Sequence, residues 1–162
     1  MTSISEPVEQ GPKSWLLLLV FIALVVGVGG AIGILIRPGD WYAGLQKPPF
    51  NPPDWVFGPV WFTLYVLIAI AGWRTFVADR SSRAMTAWWG QMLLNWLWTP
   101  VWFGLHLMWP AFAVIAALWL LIVGFISLSW RRDDRLSALL FVPYFVWVSF
   151  AAVLNLSIAL LN

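Results

Sequence analysis

The side chains able to do chemistry in this chain are aromatic. Its 162 residues include 14 Trp, 11 Phe and 3 Tyr, but no Cys and one His, His106. Without Cys there are no disulfides, thiolate nucleophiles, Cys-ligated zinc sites or iron–sulfur clusters. One His removes most His-based metal sites and any buried Ser–His triad. The remaining chemistry is stacking, because an aromatic face with few polar neighbours holds flat or rigid apolar molecules. Helical spacing tells which aromatics act together. Gln91, Asn95, Trp98 and Trp102 fall at i, i+4, i+7 and i+11, which is one helix face. Tyr144, Trp147, Ala151 and Asn155 nearly repeat it, and Trp61, Tyr65, Ile68 and Gly72 form a third such face. An amide in hydrocarbon needs a partner, so Gln91, Asn95 and Asn155 are expected to turn inward.

The elements that must position these faces follow from hydropathy. Hydrophobic residues make up 62% of the chain and charged residues 10%, against about 45–50% and about 25% in soluble domains. Such a chain is an integral membrane protein, with no basic patch for nucleic acid. A bilayer core of about 30 Å needs roughly 20 apolar residues per helix. Five stretches lack Asp, Glu, Lys, Arg and His: Trp15–Ile36, Trp55–Trp73, Ala84–Leu105, Leu107–Trp130 and Leu136–Asn162. They predict an all-α bundle of five transmembrane helices, with spans at about 15–36, 55–76, 84–105, 108–130 and 137–160, after a short tail at 1–14. The first stretch lacks a signal-peptide cleavage pattern and exceeds the usual apolar run of such peptides. These five stretches hold no carboxylate or amine, which disfavours proton-coupled transport and acid–base hydrolysis. No catalytic residue, metal site or cofactor is expected.

Alternate connections differ in charge. Lys13, Arg74, Arg80, Arg83, Arg131, Arg132 and Arg135 fall on one side, and Arg37 and Lys47 on the other. For a chain inserted into a bacterial-type cell membrane, this asymmetry predicts a cytoplasmic N-terminus. The connection around His106 is so short that the third and fourth helices must be antiparallel neighbours, and His106 itself is assigned no role. The fourth helix, mostly aliphatic, reads as a packing or lipid-facing element.

The stretch Arg37–Asp54 carries five of the eleven prolines together with Trp41, Tyr42, Leu45 and Phe50. Fixed φ angles and apolar side chains that want cover predict a lid folded back on the bundle. Gly27, Gly29, Gly30 and Gly33 on the first helix permit close backbone approach, within the chain or between two copies. Pro59 is harmless in a first helical turn. Pro100 and Pro143 lie deeper and are expected to bend the third and fifth helices, opening space between them.

The run Trp41-Tyr42, Leu45, Lys47-Pro48, Phe50, Pro52-Pro53, Trp55 through Trp61 and Tyr65 resembles the first-loop and second-helix signature of the TspO/MBR family, which includes tryptophan-rich sensory proteins, translocator proteins and peripheral-type benzodiazepine receptors. Asn95 with Trp98-Thr99-Pro100 and Phe103-Gly104 is similar to its third-helix motif. Pro143-Tyr144-Phe145, Trp147, Phe150-Ala151 and Leu154-Asn155 resemble its fifth. The resemblance implies a five-helix membrane protein, commonly a homodimer, that binds porphyrins such as protoporphyrin IX, sterols in some members, and benzodiazepine-like ligands. It implies a pocket beneath the first loop: Trp41 and Tyr42 as lid, Trp61 and Tyr65 as one wall, Asn95 and Trp98 from the third helix, and Trp147 with the small Ala151 from the fifth. Spacing adds Tyr144 to this set. Trp61 and Trp147 would flank the ring, and Lys47 or Arg37 would meet the propionates. No Lys or Arg follows Arg135, so the family's C-terminal cholesterol motif is absent and sterol binding is weakened as an expectation. Members in outer membranes, light-dependent breakdown of bound porphyrin and passive tetrapyrrole movement are also implied as alternatives.

Overall fold

A computed structural model describes residues 12–162; the predicted tail at 1–14 therefore lies outside the described residues except for its last three, which are helical. Among the described residues every regular element is helical. α1 spans Pro12–Leu35, the short α2 Asp40–Gly44, α3 Phe57–Asp79, α4 Arg83–Thr99, α5 Met108–Arg131 and α6 Arg135–Leu161. A 3₁₀ turn at Asp54–Val56 leads into α3, and a π turn at Pro100–Gly104 continues α4.

The helix ends have local causes. Ser82 caps α4 by accepting the Met85 N–H at 3.1 Å. Asp134 caps α6 by accepting the Ser137 N–H at 3.3 Å, and each side chain satisfies a donor that the first turn leaves without a partner. The tight connections after the π turn and after α5 each use one left-handed residue, His106 at φ 58° and Asp133 at φ 63°. Turns this short force antiparallel neighbours: α5 packs against α4, as the sequence predicts, and also against α6. Its buried stripe, Ala111, Ile115, Leu118, Ile122, Phe125 and Ser129, alternates steps of four and three, the spacing of one helix face. Elsewhere α1 packs on α3, and α3 on α6.

By length and composition, four of the helices are long and apolar enough to cross a membrane: Ser14–Leu35, Asp54–Asp79, Met108–Arg131 and Arg135–Leu161. The predicted third span falls short because α4 has 17 α-helical residues and carries Gln91 and Asn95 among its tryptophans. Pro100 has no N–H to extend the α-helical ladder, and the chain continues with π spacing, Leu105 N donating to Pro100 O at 2.8 Å. Pro143, by contrast, lies inside a helix that runs on to Leu161. Helix α3 passes through Arg74 to Asp79, a little beyond the span expected at about 55–76. Arg74 is accommodated because its Nη2 meets Asp134 Oδ1 at 2.8 Å and its Nε meets Ser137 Oγ at 3.3 Å.

That clasp between α3 and α6 yields a pH dependence. Burial by itself raises the Asp134 carboxyl, but hydrogen bonds from Arg74 and Ser137 and the Arg74 charge outweigh it and hold the group below its ordinary value. A carboxyl depressed on folding adds stability above its unfolded pKa, about 3.9, and loses that stability as pH falls through the folded value. Asp134→Asn is therefore expected to lower thermal stability in detergent at pH 7 and to flatten the wild-type loss of stability below about pH 4. An unchanged acid limb in the variant would refute the assignment.

Candidate functional site

Beneath the loop joining α1 to α3 lies a cavity of about 570 Å³, inside the about 300–1,000 Å³ range of small-molecule sites. Four elements build its walls. α1 presents Val26, Gly29, Gly30 and Gly33, at i, i+3, i+4 and i+7. α3 presents Phe57, Trp61, Phe62 and Tyr65; the α4 end presents Trp98, Thr99 and Phe103; α6 presents Trp147 and Ala151. The glycines matter in different ways. A Cβ on Gly29 would collide with the Tyr65 ring, whereas one on Gly30 or Gly33 would meet no atom within 4 Å. Gly29 thus seats Tyr65, and Gly30 and Gly33 leave room.

Behind the Tyr65 wall, the polar residues satisfy one another across three helices. Tyr65 Oη donates to Asn95 Oδ1 at 3.2 Å, Asn95 Nδ2 donates to Tyr144 Oη at 2.9 Å, and Tyr144 Oη donates to Gln91 Oε1 at 3.0 Å. The chain ends at Gln91 Nε2, which is buried without a partner. Because the Tyr65 proton points to Asn95, the oxygen it shows the cavity is an acceptor. Asn155 is likewise engaged, accepting from Trp98 Nε1 at 3.2 Å and donating to Met108 O at 3.3 Å. All three interior amides turn inward, as their spacing requires, and all three tie helices together.

The loop closes one end of the cavity. Tyr42 in α2 is buried, sets its ring edge-on to Phe103 at 5.3 Å between centroids, and donates to Asn51 Oδ1 at 3.1 Å. Burial, with a smaller contribution from the Asp54 carboxylate, pushes its phenol above the ordinary value and keeps it protonated. Gln46 N–H and C=O pair with the side-chain amide of Asn162 at 2.9 and 3.0 Å. Phe50 meets Phe150 edge-on at 6.3 Å. Trp41 stacks on His106, centroids 4.2 Å apart and planes 17° from parallel, and sits edge-on to Trp102 at 5.9 Å. His106, which the sequence leaves without a role, is thus a seat for the loop.

Of the residues that the sequence singles out, Tyr42, Trp61, Tyr65, Trp98, Trp147 and Ala151 line the cavity. Trp41, Asn95 and Tyr144 do not. Trp41 faces the α4–α5 turn, and Asn95 and Tyr144 stand behind the Tyr65 wall. The two candidate cations also separate. Lys47 Nζ is drawn to the Ala43 and Leu45 carbonyls at 3.2 Å each and lies over the Tyr42 ring at 4.7 Å. Arg37 lines the cavity, as does Asp54; its Nε donates to Ile34 O at 3.1 Å, and among the described residues it has no carboxylate within ion-pair distance. The α1 face was legible as small residues at i, i+3, i+4 and i+7; what hid it is that such a pattern ordinarily signals packing. Among the described residues, no group of three or more His, Asp or Glu could hold a metal. The site can stack a flat apolar guest, offer it an acceptor at Tyr65, and meet an anion at Arg37.

The model of the TspO/MBR family matches residues 19–161. The tryptophan-rich sensory protein of Cereibacter sphaeroides is 37% identical over 148 residues, 91% of this chain and 92% of its own. Protein CrtK of Rhodobacter capsulatus is 39% identical over 137 residues, covering 82% and 85%. The translocator protein of Ovis aries is 36% identical over 145 residues, covering 82% of each chain.

Proposed function

The chain belongs to the TspO/MBR family of membrane proteins, and from that premise we propose that it is a receptor for porphyrins of the protoporphyrin IX type and related flat hydrophobic molecules, acting in tetrapyrrole sensing, regulation or transport. The observation that carries this reading is the cavity of about 570 Å³ walled by Trp61, Trp98 and Trp147, with one arginine, Arg37, in its lining. Lipid is as apolar as the cavity, so burial alone selects nothing; stacking, shape and polar contacts must discriminate. Indole faces supply the stacking, at about 0.5–1.5 kcal/mol per aromatic pair beyond burial. Arg37 suits a propionate, and the acceptor on Tyr65 suits an N–H on the guest.

The same reading takes the bundle as five spans. With its π turn, α4 continues to Gly104, and a helix over 83–104 at about 1.5 Å per residue reaches about 30 Å. Its low hydropathy comes from amides that are hydrogen-bonded inside. Lys and Arg asymmetry supports a cytoplasmic N-terminus in a bacterial-type cell membrane, with the lid on the opposite side. A homodimer belongs to the proposal too, supported by Gly27 and Ala31, exposed small residues one turn apart on α1.

Titration of the purified protein with protoporphyrin, followed by Trp quenching, tests the assignment. Wild type is expected to bind saturably. The double variant Trp61→Leu, Trp147→Leu is expected to bind at least tenfold more weakly, a loss of about 1.4 kcal/mol. Equal affinity in the two proteins would overturn it.

A further inference from the structure

A second hollow of about 570 Å³ lies on the outside of the bundle, in the seam between α3 and α6. Pro59, Val60 and Thr63 form one bank, Pro143, Val146 and Phe150 the other. Its one side-chain hydroxyl, Thr63 Oγ1, already donates to Pro59 O at 3.0 Å. Its surroundings, Phe62, Val142 and Val146, are exposed apolar residues of membrane helices and so face acyl chains. Among the described residues one side chain lines both this groove and the inner cavity: Trp147.

Trp147 is held differently from Trp98. Trp98 Nε1 donates to Asn155, whereas Trp147 Nε1 is buried and has no partner. Only ring contacts hold its indole, edge-on to Phe57 at 5.7 Å and tilted on Phe150 at 5.6 Å. Turning Trp147 aside therefore breaks no side-chain hydrogen bond. Raising the loop instead breaks the paired bonds between Gln46 and Asn162 and unstacks Trp41 from His106. It also brings a hydrophobic guest through water, although that guest is already dissolved in the bilayer.

We propose that the α3–α6 groove is a lateral portal through which a membrane-dissolved apolar guest reaches the cavity, with Trp147 as its gate and the loop remaining closed. This rests on the reading of the cavity as a ligand site. The groove is then the antechamber for the guest's apolar edge, and the guest exchanges with lipid along the plane of the membrane.

The test measures exchange of protoporphyrin between vesicles and the full chain in lipid nanodiscs, with association and dissociation rates taken separately. Val60→Trp fills the groove from α3, and Val146→Trp fills it from the exposed face of α6, so that one can stand in if the other fails to fold. Either is expected to slow both rates at least tenfold while changing Kd less than threefold. The loop double variant His106→Ala, Asn162→Ala is expected to leave both rates within threefold of wild type. Unchanged rates in the groove variants, or tenfold faster exchange in the loop variant, would overturn the portal and leave the cavity reading standing. No saturable binding by wild type would overturn both.

Discussion

Gly72→Ala is expected to lower the melting temperature of the detergent-solubilised protein by roughly 10 °C, although it adds one methyl group. A Cβ at this position in α3 would overlap the Trp88 indole. That ring has nowhere to retreat: it is wholly buried, bounded by Phe21 at 5.2 Å and Trp89 at 4.8 Å, and anchored by its Nε1 to Ile68 O at 3.0 Å. Overpacking a filled core costs about 1–3 kcal/mol, and a buried carbonyl left without its donor about 1–3 kcal/mol more. A combined loss of about 3 kcal/mol, at about 2–4 °C per kcal/mol for a chain of this size, gives the expected shift. Gly124→Ala in α5 is the matched control, because its Cβ would meet no atom within 4 Å and alanine is the better helix former by about 1 kcal/mol. Equal melting of the two variants would show that α3 and α4 do not approach this closely.

Asn95→Leu is expected to cost both stability and affinity. Leucine fills a similar volume but removes the acceptor of the Tyr65 proton and the donor to Tyr144. Tyr144 keeps its bond to Gln91, but the Tyr65 hydroxyl left without an acceptor in an apolar interior costs about 1–3 kcal/mol by soluble-protein measures, whereas bonds between membrane helices average about 0.6 kcal/mol. A loss of about 1–2 kcal/mol lies between them. Protoporphyrin affinity should fall about tenfold, because Tyr65, no longer tied to Asn95, can turn its hydroxyl into the cavity and present a donor instead of an acceptor. The readout specific to the network is a double-mutant cycle with Tyr144→Phe. Coupling is expected between the two positions, since both act on one chain of bonds. Strict additivity would mean that the bonds from Tyr65 to Gln91 do not work as a unit.

Much of this protein was legible along the chain, because some consequences of a residue type depend on nothing else. A stretch without charge must be helical where it meets lipid, since no water is there to take its N–H and C=O groups. Helical geometry places Gln91, Asn95, Trp98 and Trp102 on one face whatever stands opposite. Prolines stiffen the 37–54 loop in any context. The lack of Cys and the single His exclude whole chemistries without reference to a fold.

What stands opposite is another matter, and there the tertiary structure decided. Gln91, Asn95 and Trp98 share a face, yet only Trp98 meets the cavity, because α6 brings Tyr144 against the two amides at that depth. Trp41 and Tyr42 are neighbours in α2, and the turn of that helix sends one to His106 and the other to the cavity. Lys47 and Arg37 are equal as cations until the fold sets the second, and not the first, in the cavity lining. Gly29 and Gly27 are equal as glycines until Tyr65 arrives against one of them. In each case the residue type sets what a side chain can do, and whether it does so depends on a partner distant in sequence. Periodicity along a helix carries the direction of a side chain but not the identity of what it meets.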